Sequence, residues 1–538
     1  MERLQAFRIW TLSLLTFSSF ITACSSAGSA RKYFDQGIAN SDSGNYEQAI
    51  ADYSKAIELD PDNAVAHINR GNDYANSGDY EQAIADYNRA IDLDSNLAAA
   101  YNGRGVANAS SGNYEQAAKD YSKAIELDPD DSIAYINRGS AYYNSGDLEQ
   151  AIVNYDKAIE LALDDARNNS IALELDPNYT AFKEGVVAFF KSSELEQATI
   201  ARYKKGIVLD SNLAAAYNGR GLAYASSGDY EQAIADYSKA IELNPENEVA
   251  YSNRGSAYKI VGDQERAITD YKKAIELNPN YALAYYNRGN DYANSGDYEQ
   301  AIADYSKAID LDSNLAAVYN GRGVAYASSG DYKQAIADYN QAVELDPDFA
   351  LAYYNRGNAY SSSGDLEQAI AEYDRAIGLD PDFALAYHGR GIAYKNSGYL
   401  EQAIADYSKA IELDPDQAST YNNRGIAYND SGDRERAIAD YSKAIELDSD
   451  NALSYNNRGI AYADSDHLDQ AIADYNKAVE LAPDYALAYY NRGMSYVDSG
   501  DLEQAIADFE WYLELSPNAL NRAEVLNIIE QLKSELVP

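Results

Sequence analysis

Sorted into apolar and polar positions, the chain repeats itself. From Ala64 the apolar residues recur at spacings of three and four over about Ala64 to Asn76, and again over about Tyr80 to Leu93, as with Ala83, Ile84, Tyr87, Ala90 and Ile91. That spacing lines one face of a helix with core residues, so two helices, A and B, are predicted here. Ser77-Gly78-Asp79 separates them. Gly78 supplies the permissive backbone of a helix end, and Asp79 a side chain able to cap the next helix. Proline falls where helix B gives way to the following block, as at Pro61, Pro129, Pro245, Pro347 and Pro415. There it opens a helix without losing an interior hydrogen bond.

An Arg-Gly pair marks the pattern at Arg70, Arg104 and Arg138, then at Arg220, Arg254, Arg288, Arg322, Arg356, Arg390, Arg424, Arg458 and Arg492. The interval is 34 residues within each series, and 82 between Arg138 and Arg220, which is two periods and a further 14. Repeats of this length stack as supersecondary units instead of surrounding one core. The extra 14 residues fall within about 161–176, where Ala158-Ile159-Glu160-Leu161 is echoed by Ile171-Ala172-Leu173-Glu174-Leu175. A slipped duplication that lengthens helix B or adds a loop accounts for them. The next block, 180–213, has Gly185, Phe189 and Phe190 but no Arg-Gly pair, and Ser193 replaces the turn glycine. An irregularity in the stack is expected there. Residues 69–130 and 287–348 are nearly identical, and the phrase Asp-Ser-Asn-Leu-Ala-Ala recurs at Asp94, Asp210 and Asp312. The array has grown by copying blocks. At its far end Phe509, Trp511 and Tyr512 replace the usual helix B residues. A last helix from about Leu520 to Leu536, with Leu520, Ile528, Ile529 and Leu532 at helical spacing, is expected to cap it.

Charge narrows the partners. With 86 Asp and Glu against 43 Lys and Arg, the formal net charge is −43. Such a surface repels phosphate backbones, which argues against nucleic acid. The carboxylates are interleaved with apolar residues and concentrate on helix B and the turns, as with Asp79, Glu81, Asp86 and Asp92. The three histidines, His67, His388 and His467, are too scattered for a metal site. No phosphate-cradling glycine loop and no Ser/His/Asp or Cys/His set occurs. No catalysis, cofactor or small-molecule substrate is implied.

The N-terminus is separate. Arg3 and Arg8 flank a short charged start, Ile9 to Phe20 is an apolar stretch of secretory length, and small residues follow. Ile21-Thr22-Ala23-Cys24 resembles the bacterial lipobox, and Cys24 is the only cysteine. The resemblance implies a signal peptide over 1–23, a lipid on Cys24, and a linker over 24–29 leading to the repeats. Ser25 in place of Asp is similar to lipoproteins released to the outer membrane of diderm bacteria, so an extracytoplasmic, envelope-bound location is expected.

The block resembles the tetratricopeptide repeat. Numbered from Ala64, that family expects Trp, Leu, Gly, Tyr, Ala, Phe, Ala and Pro at positions 4, 7, 8, 11, 20, 24, 27 and 32, where this chain has His67, Arg70, Gly71, Tyr74, Ala83, Tyr87, Ala90 and Ser95. The fold implied is all-α, a right-handed α-solenoid of about 14 helix-turn-helix repeats over 30–517 with a capping helix in 518–538. Its tyrosines are packing residues first. Its departure is Arg for Leu at position 7. Either the Arg head pairs with a helix B carboxylate such as Asp86, or the row is exposed for a ligand. In this family the A helices face the inner groove. Position 6 there holds Asn69, Asn137, Asn253, Asn287, Asn355, Asn423, Asn457 and Asn491, with Gly103, Gly219, Gly321 and Gly389 between. The row resembles the asparagine ladder of O-linked N-acetylglucosamine transferases, whose amides hold an extended peptide backbone. Capping and solvation are the plainer role. Together these features describe a lipid-anchored scaffold for proteins or peptides. An assembly or export factor for a pilus, secretion or polysaccharide machine, and a glycan-binding module, are the alternatives.

Overall fold

The computed structural model describes residues 28–174 and 211–536, grouped in two units, 1–288 and 289–538. Among the described residues the predicted pairs are present. Helix A of the second block spans Ala64–Asn76 and its helix B Tyr80–Leu93. Gly78 takes φ +82°, a conformation that costs a glycine nothing. The Asp79 carboxylate then accepts from the Gln82 amide at 3.2 Å, satisfying one of the open donors at the start of helix B. One turn departs: Asp466 stands at the glycine position and is held at φ +58°. No strand occurs among the described residues, and no helix there is long and apolar enough to cross a membrane.

A helices pack on their own B helix and on the B helix before it, as Ala98–Ser110 does on Tyr114–Leu127 and Tyr80–Leu93. The core between them is built from small residues and rings. Ala83, Ala90, Ala100 and Ala107 are fully buried around Tyr87. Gly105 shows why position 8 is glycine, since a Cβ there would lie 2.6 Å from the Tyr121 ring.

Helix B of the block from Ser132 runs over Leu148–Glu174, 27 residues where the others have 14. The extra residues therefore begin as a continuation of this helix. Beyond it, the block from Ala214 sits directly on the block from Ser132. Ala158, Ile159 and Ala162 pack against Leu213 and Ala216, and Tyr155 occupies the space beside Gly219. Elsewhere the position-7 Arg bonds to a B helix residue 16 positions earlier, as in Arg70–Ser54 and Arg138–Ser122. For Arg220 the partner is Asp156, 64 positions earlier. The surplus of 48 is one block and the extra 14, so no described repeat stands between these two. Of the degenerate block, residues 180–210 lie outside the described residues.

At the C-terminus a helix over Arg522–Glu535 buries Val525, Ile529 and Leu532 against Phe509, Tyr512 and Leu513. Leu520 does not join them. The helix starts two residues later, with Tyr512 donating to Asn521 at 2.7 Å, which leaves Leu520 in the turn and fully exposed.

Candidate functional site on the A-helix face

The arginine row is committed to structure. Arg70 Nε and Nη2 each lie 2.7 Å from an oxygen of Asp86, a fork on a carboxylate, while Nη1 donates to Ser54 Oγ of the preceding helix B at 2.9 Å. One side chain thus ties three helices. Burial works against the charge of Asp86, but hydrogen bonds from Arg70 and then His67 outweigh it and hold this carboxyl below its ordinary range. The same fork recurs at Arg254–Asp270, Arg322–Asp338, Arg424–Asp440 and Arg458–Asp474. Arg138 is the exception. Its partner on helix B is Asn154, at 2.7 Å, and it makes no ion pair among the described residues.

The asparagine row divides the steps between blocks into two kinds. In the first, the position-6 amide turns back and donates Nδ2 to the position-5 side chain one block earlier. Asn137 reaches Asn102 at 3.2 Å, Asn253 reaches Asn218 at 3.2 Å, and Asn355 reaches Asn320 at 3.0 Å. Asn457 reaches Asn422 at 3.1 Å and Asn491 reaches Asn456 at 3.0 Å. Asn423 meets His388 Nε2 at 3.4 Å, and Thr420 Oγ1 engages the other ring nitrogen at 2.8 Å. Burial holds His388 below the ordinary imidazole value. Among the described residues each of these amides spends one N–H and keeps its oxygen and second N–H.

In the second kind, Gly103, Gly219, Gly321 or Gly389 stands at position 6. The tyrosine of the preceding helix B fills the space, so that a Cβ on Gly103 would meet the Tyr87 ring at 2.6 Å. Its hydroxyl bonds to position 9 of its own block. Tyr87 donates to Asn72, Tyr305 to Asn290 and Tyr373 to Asn358, each at 2.7 Å, and Tyr155 shares a 3.0 Å bond with Ser140. Two predicted residues are intermediate. Asn69 lies beside the Tyr53 hydroxyl, and Asn287 Nδ2 approaches Ser256 Oγ at 3.4 Å. The sequence itself carries the signal for this alternation. Every position-6 glycine follows a block with Asn or Ser at position 9, whereas Val106, Leu222, Val324, Ile392, Ile426 and Ile460 precede an asparagine.

Cys24 lies outside the described residues. His67 is buried, with Nδ1 3.0 Å from Asp86. No group of three or more His, Cys, Asp or Glu among the described residues is placed to hold a metal. Solvent on the A-helix face meets aliphatic side chains, Val65, Leu283, Leu351 and Leu385 among them, besides the amides and tyrosines.

Models of the TPR repeat match residues 41–78 and successive segments from 258 to 466. Further tetratricopeptide repeat models match 132–165 and 214–247, 68–132, 458–533 and 237–269. No curated protein matches the chain by sequence. Among solved structures, YrrB, described as a TPR protein with an unusual peptide-binding site, is 29% identical over 34% of this chain and 95% of its own, with a TM-score of 0.30. A structure of MamA is 30% identical over 32% of this chain and 96% of its own, with a TM-score of 0.29. The Cut9–Hcn1 hetero-tetramer of the APC/C is 16% identical over 94% and 97%, with a TM-score of 0.45.

Proposed function

The chain belongs to the tetratricopeptide repeat family, and from that premise we propose that it is a non-catalytic scaffold. It holds extended segments of protein partners against its A-helix face and is tethered by lipid on Cys24 to the bacterial cell envelope. The observation that carries the binding role is a contrast of chemistry. In a chain of net charge −43, the A-helix face offers amides, tyrosines and exposed aliphatic residues, while the carboxylates sit on helix B and the turns. Amides satisfy a peptide backbone whatever its side chains, and covering the exposed part of an aliphatic residue such as Leu351, 43% exposed, is worth about 1 kcal/mol. The anchor rests on the lipobox-like Ile21-Thr22-Ala23-Cys24.

Selecting peptides from a random display library on the full chain tests the first part. Uncharged peptides that protect A-helix amides from hydrogen exchange are expected, and protection confined to B helices would overturn it. For the anchor, Cys24→Ala should move the protein from the detergent to the aqueous phase on partitioning. An unchanged distribution would remove the lipid from the proposal.

A further inference from the structure

Residues 98–130 and 316–348 are near-copies that differ at nine positions, and six of the nine gather in one place. The six are Asn108 against Tyr326, Asn113 against Asp331, Glu115 against Lys333, Ala118 against Ile336, Lys119 against Ala337 and Ser122 against Asn340. The other three are at Ala100, Lys123 and Ile125. Glu115, Ala118, Lys119 and Ser122 line a recess of 550 Å³ between helix B Tyr114–Leu127 and the A–B turn of the next block, with the rings of Tyr114 and Tyr142 beside them. Asn108 and Asn113 line a second recess, of 490 Å³, that shares Tyr114, Glu115, Lys119 and Ser145 with the first. Both volumes fall in the range of about 300–1,000 Å³ typical of small-ligand sites.

Two of the changes remove bulk. Ala118 stands where every other described block has isoleucine, Ile84, Ile152 and Ile336 among them. Asn108 stands where most blocks have tyrosine, as at Tyr74, Tyr142 and Tyr326. In the second copy Tyr326 and Ile336 pack together on Ala335 and Tyr339. In the first, the matching cluster is Ala117, Ala118 and Tyr121, and those two side chains are missing from it. Asn108 does not take their place, because its amide is drawn to Asp120 at 3.0 Å, the carboxylate that also holds the fork of Arg104.

A third change adds a donor. Lys119 replaces the alanine of most blocks, as at Ala85 and Ala337. Its Nζ donates to Glu115 Oε1 at 2.7 Å, which uses one of the three N–H bonds of an ammonium. The serine hydroxyls of the lining are engaged with backbone. Ser122 Oγ donates to the Ala118 carbonyl at 2.7 Å, and Ser145 Oγ to the Tyr142 carbonyl at 2.9 Å. Asp147 is turned to the next helix, where it accepts from the Gln150 amide at 3.1 Å. Lys119 and Glu115 cancel each other's charge, which suits an uncharged ligand.

We propose that this place binds a small, uncharged aromatic molecule. Its ring occupies the space that tyrosine and isoleucine side chains fill in the second copy, against the rings of Tyr114 and Tyr142, which favour an aromatic neighbour. An oxygen on the ring accepts from Lys119. The site lies apart from the asparagine row and does not rest on the peptide-binding role, so either can fail alone.

The test uses the full chain and p-cresol, which is the tyrosine side chain as a free molecule. Saturation-transfer NMR should show p-cresol bound. Asn108→Tyr with Ala118→Ile supplies the residues of the second copy, and should remove most of that signal while the melting temperature is kept or raised. Lys119→Met keeps the stem and should weaken p-cresol about three- to ten-fold, the share of one hydrogen bond, while toluene, which lacks the oxygen, binds the variant as it binds the parent. Tyr326→Asn, Ile336→Ala and Ala337→Lys together should create a second site in the other copy and increase the p-cresol bound. No binding of p-cresol, or equal binding after Asn108→Tyr with Ala118→Ile, overturns the proposal. A decapeptide with a central tyrosine that binds there where p-cresol does not would assign the recess to a protein side chain, and overturns it too.

Discussion

Asp86 and Asp73 lie in one block, both almost completely buried, and meet opposite fates. Asp86 receives the fork of Arg70 and a ring nitrogen of His67, and is held as a carboxylate below its ordinary range. Asp73 receives one hydrogen bond, from Ser41 Oγ at 2.7 Å, and its second oxygen has no partner. Burial therefore pushes Asp73 up. Asp291 shares its position, which elsewhere holds a small residue packed between helices, as with Ala107, Ala141, Ala325 and Ala359. A buried carboxylate is thus an asset at one position of the repeat and a burden at another, and the difference lies wholly in its partners.

The sharpest way to break the contrast is to turn the asset into a burden. Arg70→Met leaves Asp86 buried with only His67, and should cost about 3–5 kcal/mol, read as lost hydrogen-exchange protection over residues 64–97. The reverse change is Asp73→Ala, which supplies the residue most blocks use there. It should add about 1–3 kcal/mol to protection of the same segment by removing an unmet polar group; unchanged or lower protection would mean that Asp73 is satisfied after all.

Acid should separate the two carboxylates without mutation. For Asp73 the folded-state pKa is raised, so its contribution is fully present below the ordinary carboxylate value of about 4 and is lost as pH rises through the raised one. For Asp86 the folded-state pKa is lowered, so its contribution is present above about 4 and is lost as pH falls through the lowered one. Protection of residues 64–97 should therefore rise on acidification from pH 7 and fall again below about 4. Asp73→Ala should abolish the rise and keep the fall.

Two smaller changes extend the comparison. Asn154→Asp would give Arg138 the carboxylate that its counterparts have, for a gain on the order of 1 kcal/mol. Asp466→Gly would release a left-handed backbone, for a gain of about 1 kcal/mol, visible as higher protection over residues 452–485.

Much of this was legible along the chain. Apolar spacing and the Ser-Gly-Asp turn gave the helices Ala64–Asn76 and Tyr80–Leu93, because both signals act within a few residues. The partnership of Arg70 with Asp86 could be anticipated from charge, but its link to Ser54 of the block before could not. Nor could the spending of half of each Asn amide on the preceding block, since donor and acceptor are 35 residues apart. Leu520 fits a helical pattern and yet is left in a turn, because the spacing alone does not say where that helix starts.

The sequence by itself determined the repeat, its two helices, its turn and its acidity, since each follows from side-chain chemistry at short range. Only the tertiary structure decided which polar groups find partners. It brought the block from Ala214 onto the helix from Leu148, made two kinds of step out of one repeat, and left one oxygen of Asp73 without a partner. Those outcomes depend on which block lies against which, and a hydrogen bond across a stack exists only once the stack has formed.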